Sequence, residues 1–154
     1  MPTDTILPAI PEIRNQKQSV EWLKAFRGLP YSKQEAKMIS DAVDMAGKPA
    51  TFAEICVLCL FSQTTHFVGT LPPVITDLHN EAWLHHLSPY PAWAIKAAIF
   101  WWMGPDNPKR ASKAQPGDIA QRCKIEAGCI TAGQSHLAYW KKYQGHYPSF
   151  LTKN

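Results

Sequence analysis

A chain of 154 residues, 45% of them hydrophobic and 18% charged, has the length of one domain, or of one with a small appendage, and can build a core without disulfide staples. That apolar content excludes a disordered chain despite thirteen prolines. No run approaches the ~18 apolar residues of a membrane span, and the stretch from Met1 to Thr5 lacks the basic and apolar regions of a signal peptide, so a globular cytoplasmic protein without membrane contact is expected. The net charge of +4 is unevenly spread. Residues 1–92 carry seven Lys/Arg against nine Asp/Glu, a net −2, and residues 93–154 carry nine against three, a net +6. Such asymmetry points either to an anionic partner for the C-terminal part, nucleic acid first, or to an ordinary solvated basic face.

In chain order, Pro2, Pro8 and Pro11 stand between apolar residues, which predicts an extended arm over 1–15 that covers the core with Ile6, Leu7, Ile10 and Ile13. Val20, Trp22, Leu23 and Phe26 have helical spacing, with Gly28 as the stop. Ser32 and Glu35 have the form of a capping box, with Glu35 reaching back to the Ser32 amide. The helix behind it would run to Ala46 on a stripe of Ala36, Ile39, Val43 and Ala46. Thr51 and Glu54 repeat the box ahead of Ile55-Cys-Val-Leu-Cys-Leu-Phe61, which is apolar nearly all round. A helix with no polar face is normally central, so Val57, Leu58, Leu60 and Phe61 are expected to be deeply buried there. Pro72 and Pro73 open the next helix, whose apolar side is Val74, Leu78, Ala82, Trp83, Leu84 and Leu87, with Pro89 ending it. A further helix spans Ala92 to Met103. A polar, basic loop over 105–115 follows, then a helix from Pro116 that Gly128 stops, and a tail with a short helix near Ser135–Tyr143. Six or seven short helices and no alternating strand pattern predict an all-α fold, an orthogonal bundle, organised as an arm (1–15), a helical domain (16–130) and an aromatic, basic tail (131–154).

Few residues suggest chemistry. Cys56 and Cys59 form a CxxC, but a zinc pair needs a polar turn that aims both thiolates at one ion, and here the spacer is Val-Leu inside an apolar helix. Core filling is the better reading, and Cys123 and Cys129 read as thiols of a reducing compartment. The histidines at 66, 79, 85, 86, 136 and 146 form no His-Glu-x-x-His and read as satisfied surface residues. Asp41 and Asp44 lie one turn apart, as many solvated pairs do. There is no GxSxG, phosphate loop or GxGxxG. The expectation is therefore a protein without enzymatic activity, cofactor or metal.

The densest local feature is the helix from Trp93 to Met103, with Phe100, Trp101 and Trp102 in succession. Trp93 and Phe100 suit a wide core face. Neighbours on a helix point about 100° apart, so Trp101 and Trp102 are hard to bury together. Lys109, Arg110 and Lys113 follow directly. Exposed aromatics beside cations stack bases while the cations meet phosphates, and they anchor protein interfaces equally well. Trp101, Trp102, Lys109, Arg110 and Lys113 are the expected binding residues.

The string from Leu87 to Ala98, the Trp-Trp pair, the basic loop and Gln115-Pro-Gly-Asp-Ile119 resemble a segment of small phage and prophage early-region proteins. The layout is distantly similar to helical phage helicase-loader proteins. The resemblance spans residues 87–119 and transfers no catalytic residue. It implies a non-enzymatic adaptor in a bacterial host cytoplasm that binds protein, nucleic acid or a nucleoprotein complex, with phage replication as the setting. The alternative is a counter-defence protein of the anti-CRISPR type that obstructs a host nucleoprotein complex. A basic chain does not suit DNA mimicry, which needs dense acid.

Overall fold

Seven α-helices make up most of residues 15–64, 72–144 and 146–149, the part that the computed structural model describes, and no strand occurs among them. They are α1 (Gln16–Ala25), α2 (Lys33–Ala46), α3 (Phe52–Thr64), α4 (Pro73–Leu87), α5 (Ala92–Met103), α6 (Pro116–Glu126) and α7 (Gly128–Tyr143). The expected arm, with Ile6, Leu7, Ile10 and Ile13, lies outside the described residues. The chain forms two compact units, Gly47–Ala132 and a second that joins Met1–Ala46 to Gly133–Asn154. This grouping takes most of α7 into a packed unit, where a tail from 131 was expected.

The discontinuous unit pairs α1 with α2. Asn15 caps α1 by accepting from the Gln18 amide at 2.9 Å, and Gly28 after its end takes φ +88°, the left-handed region that glycine enters without strain. The α2 box differs from the expected one by a residue. Ser32 Oγ accepts from the Glu35 amide at 3.1 Å, but Glu35 accepts from the Tyr31 amide at 2.7 Å, not from Ser32. The stripe Ala36, Ile39, Val43 and Ala46 is buried, with Ala42 beside it. Gly133 of α7 sits against these side chains so closely that a Cβ there would meet Val43 Cγ2 at 2.7 Å and Leu23 Cδ2 at 3.3 Å. The Tyr147 hydroxyl donates to the Pro30 carbonyl at 2.7 Å and ties the end of the chain to the turn before α2. His136 packs edge-on against Phe26. It is half-buried with its Nδ1 unpartnered, which differs from the satisfied surface histidine expected, and burial lowers its pKa.

In the continuous unit, α5 packs on α3 and α6, while α4 packs on α3 and α6. Its core gathers Ile55, Trp83, Leu87, Ile95, Ile99 and Ile119, with Cys59 and Cys123 fully enclosed. The Thr51 box on α3 is reciprocal, at 3.2 and 2.9 Å. The central helix is nevertheless α5, whose Ala94, Ile95, Ala98, Ile99 and Trp102 are all buried. Among the α3 residues whose burial is described, only Ile55, Cys59 and Ser62 are buried, at i, i+4 and i+7, one face of a helix. Val57 and Leu60 are each 65% exposed and Phe61 38%, while Leu58 is half-buried. The expectation of deep burial fails because an all-apolar helix at the margin of a unit still has only one face in contact. The same correction applies to α4, where Trp83 and Leu87 are buried but Val74, Leu78 and Ala82 are exposed. Phe100 is exposed as well, and Trp93 only half-buried. Gly128 does not stop α6; it is the first residue of α7, and Ala127 caps α6 through its amide to the Cys123 carbonyl.

Two outcomes follow from this packing. Gly→Ala in a helix ordinarily stabilises by about 1 kcal/mol. Gly133→Ala is expected to do the reverse and lower the thermal midpoint, because overpacking costs roughly 1–3 kcal/mol. Gly128→Ala, with nothing within 4 Å of the new Cβ, should leave the midpoint unchanged or raise it. The second concerns Cys59 and Cys123, whose thiols burial pushes up to about 11 and about 12 from an ordinary 9.0. The unfolded chain loses these protons first as the pH rises. Their contribution to stability is thus complete below pH 9 and is lost as the pH climbs through 11 to 12. Thermal midpoints measured from pH 8 to 11 should fall above 9, and Cys123→Ala should flatten that fall.

Candidate binding surface

The last turn of α5 divides three consecutive aromatics. Phe100 is 52% exposed, Trp101 is half-buried, and Trp102 is 8% exposed inside the core. Successive 100° steps produce this division once Ile95 and Ile99 fix the helix phase. Trp102, expected at the surface, is instead an anchor. Its indole N–H donates to the Ser112 carbonyl at 2.8 Å, and its carbonyl accepts from the side chain of Asn107 at 2.8 Å. Asn107 is itself buried, and its Oδ1 accepts from the Lys109 amide at 3.0 Å. Backbone bonds from Gly104 to Trp101, Asn107 to Gly104, Arg110 to Asn107 and Ser112 to Lys109 wind the loop into consecutive turns. At its far end the Gln115 amide donates to Asp118 at 2.9 Å, capping α6.

This fixed loop and α6 enclose an open cleft of about 320 Å³. Trp101, Lys109, Asp118, Gln121, Arg122 and Ile125 are among its lining, and the edge of Trp102 reaches it. The Arg122 guanidinium lies over the Trp101 ring at 4.2 Å, and its Nε donates to Glu126 at 2.9 Å. A cation on an indole face contributes ~0.5–2 kcal/mol, so the stack holds the Trp101 ring in place. Lys109 and Arg110 are exposed on the loop. Lys113 is half-buried and does not line the cleft; its charge acts on the Cys59 thiol, opposing the rise of that pKa. The structure therefore brings Trp101, Trp102 and Lys109 together at one cleft, leaves Arg110 on the neighbouring turn and turns Lys113 inward. Sequence reasoning missed Arg122, whose one legible signal is its i, i+4 spacing to Glu126, and Asn107, a buried polar anchor inside an apparently polar loop.

A second concavity, about 400 Å³, runs between α3 and α5. Val57 and Leu58 form one wall and Trp93 the other, with Glu54 and Lys96 facing it from opposite helices. At its end Phe61 and Phe100 meet at 5.7 Å between ring centres. Among the described residues no group of three His, Cys, Asp or Glu side chains converges as a metal site would require, and no helix is long and apolar enough to cross a membrane. Comparison with protein families, with characterised proteins and with solved structures finds no match.

Asn107→Ala should test whether the loop is built as described. It leaves the Trp102 carbonyl and the Lys109 amide without their partner, at a cost of roughly 1–3 kcal/mol. Hydrogen exchange at the Lys109 and Ser112 amides should accelerate while α6 keeps its protection. Unchanged exchange at Lys109 would show that Asn107 does not hold the loop.

Proposed function

We propose that this chain is a non-enzymatic binding protein, an adaptor of the phage type, that meets a nucleoprotein partner through the edge formed by Trp101, the 104–115 loop and Arg122. The observation that carries the reading is the pinned loop. A segment that needed only to connect α5 to α6 has no use for a buried asparagine and an indole hydrogen bond, whereas one that presents Lys109 and Arg110 at fixed positions beside an aromatic cleft does. Cations held next to an aromatic suit phosphate contacts and base stacking together. Arg122 on Trp101 extends that surface with a planar cation. The excess of basic residues after residue 92 favours a polyanionic component in the partner. The resemblance of residues 87–119 to phage early-region proteins supplies the setting.

The test is titration of a labelled single-stranded oligonucleotide at several salt concentrations, with wild type and Lys109→Ala/Arg110→Ala. Each phosphate contact removed should lower the slope of log affinity against log salt by about 0.7. The double variant should thus have a slope shallower by about 1.4 and bind more weakly, chiefly at low salt. A parallel capture from lysate, with and without nuclease, reads the protein component. Identical slopes and identical recovery by both proteins would place the working surface elsewhere.

A further inference from the structure

We infer that the cleft between the 104–115 loop and α6 takes a guanine base of a single-stranded nucleic acid, with Asp118 accepting from the base's Watson–Crick edge. The inference rests on the reading of this edge as a nucleic-acid surface and names what the cleft selects. The starting point is an acid in a basic place. Lys109 and Arg122 line the cleft as cations, and Asp118 is the one acid among its lining residues. A carboxylate repels a bare phosphate backbone, so a ligand that suits the whole lining brings a hydrogen-bond donor to Asp118 as well as an anion to Lys109. Asp118 has the capacity for this. Its Oδ2 takes the Gln115 amide at 2.9 Å, and its Oδ1 has no partner among the described residues. The helix cap thus accounts for an acid at this position and leaves the second oxygen open.

The rest of the lining describes the ligand's shape. The Arg122 guanidinium lies over the Trp101 ring at 4.2 Å, with its Nε committed to Glu126 at 2.9 Å. This layered pair is a flat wall, and bases stack on indole and guanidinium planes. Ile125, 64% exposed, adds an apolar contact. At about 320 Å³ the cleft is too small for a duplex, but it admits one base while the strand passes outside. Lys109, exposed on the loop, then meets a phosphate. Among the four bases, guanine alone sets two donors side by side, N1–H and the N2 amine, with the O6 acceptor next to them. A carboxylate accepts from both donors, and Gln121, one helical turn after Asp118 in the same lining, donates to O6. Adenine and cytosine put a ring-nitrogen acceptor beside their one amine, and thymine holds its N–H between two carbonyls, so each turns an acceptor towards the carboxylate. An arginine from a protein partner would satisfy Asp118 too, but it would bring a third cation beside Lys109 and Arg122.

Fluorescence anisotropy of the full chain with labelled all-thymine strands, plain or carrying one central guanine, adenine, cytosine or hypoxanthine, tests it at fixed salt. Wild type should bind the guanine strand about tenfold more tightly than the adenine, cytosine and all-thymine strands, the discrimination of one bidentate contact. Hypoxanthine, which lacks the N2 amine, should fall between. Asp118→Asn keeps an oxygen for the Gln115 amide and turns an amine to the base. It should reduce the guanine preference to about twofold or less while holding or raising affinity for the all-thymine strand, a combination that a weakened helix cap would not produce. Gln121→Ala, at an exposed position outside the cap, should cost the guanine strand about threefold and leave the all-thymine strand unaffected. Equal binding of all strands by wild type overturns the inference and leaves the nucleic-acid reading standing, whereas no binding of any strand overturns both. An Asp118→Asn variant that keeps the preference also overturns the inference. So does guanosine monophosphate that competes as well as the guanine strand, mole for mole, which would make the ligand a free nucleotide.

Discussion

The rotational phase of α5 governs what the continuous unit can present. Ala94, Ala98, Ile95 and Ile99 turn one side of this helix wholly inward, and small residues among them let neighbouring helices approach closely. Once that side is fixed, each remaining position has no choice of direction. Trp102 must enter the core, Trp101 must stand at the rim, and Phe100 must face water beside Lys96. The core, the cleft and the groove are thus three consequences of one helix being held in one orientation, and a rotation of a single residue step would exchange their tenants.

Trp102 carries this constraint out of the helix and into the loop. Because its ring is buried, its indole N–H needs an acceptor, and the Ser112 carbonyl supplies one ten residues later. Asn107 then satisfies the Trp102 carbonyl and the Lys109 amide from a buried position. A stretch with two prolines, two lysines and an arginine acquires a defined course through two side chains that point inward. Lys109 and Arg110, which are exposed, inherit fixed positions without making the loop themselves.

Hydrophobicity and burial part company on α3. The helix is apolar nearly all round, yet a helix of this unit that touches α4 and α5 on adjoining sides leaves the far side open. The discontinuous unit behaves differently because α2 has polar residues opposite its stripe, so its composition already says which face turns inward. The exposed face of α3 is therefore a property of where the helix lies, and it is the feature that gives the α3–α5 groove its character.

The sequence by itself determined that the protein is helical and where most helices begin and end, because caps, prolines and glycines act within one turn of the residues that carry them. The Ser32 and Thr51 boxes, Pro73 and Pro116 at helix starts and Gly104 after α5 were legible for that reason. It also determined the buried stripe of α2, where polarity and period agree. Only the tertiary structure decided which side of α3 and α4 is buried, since an all-apolar helix contains no local signal of direction and its environment lies many residues away. For the candidate site, Trp101 and Lys109 were legible as types that bind. The withdrawal of Trp102 and Lys113 and the recruitment of Arg122 were not, because they depend on the phase at which α5 meets α3 and α6. The same holds for Gly128 and Gly133: one opens α7 and the other admits Val43, a difference set by the side chains across from each.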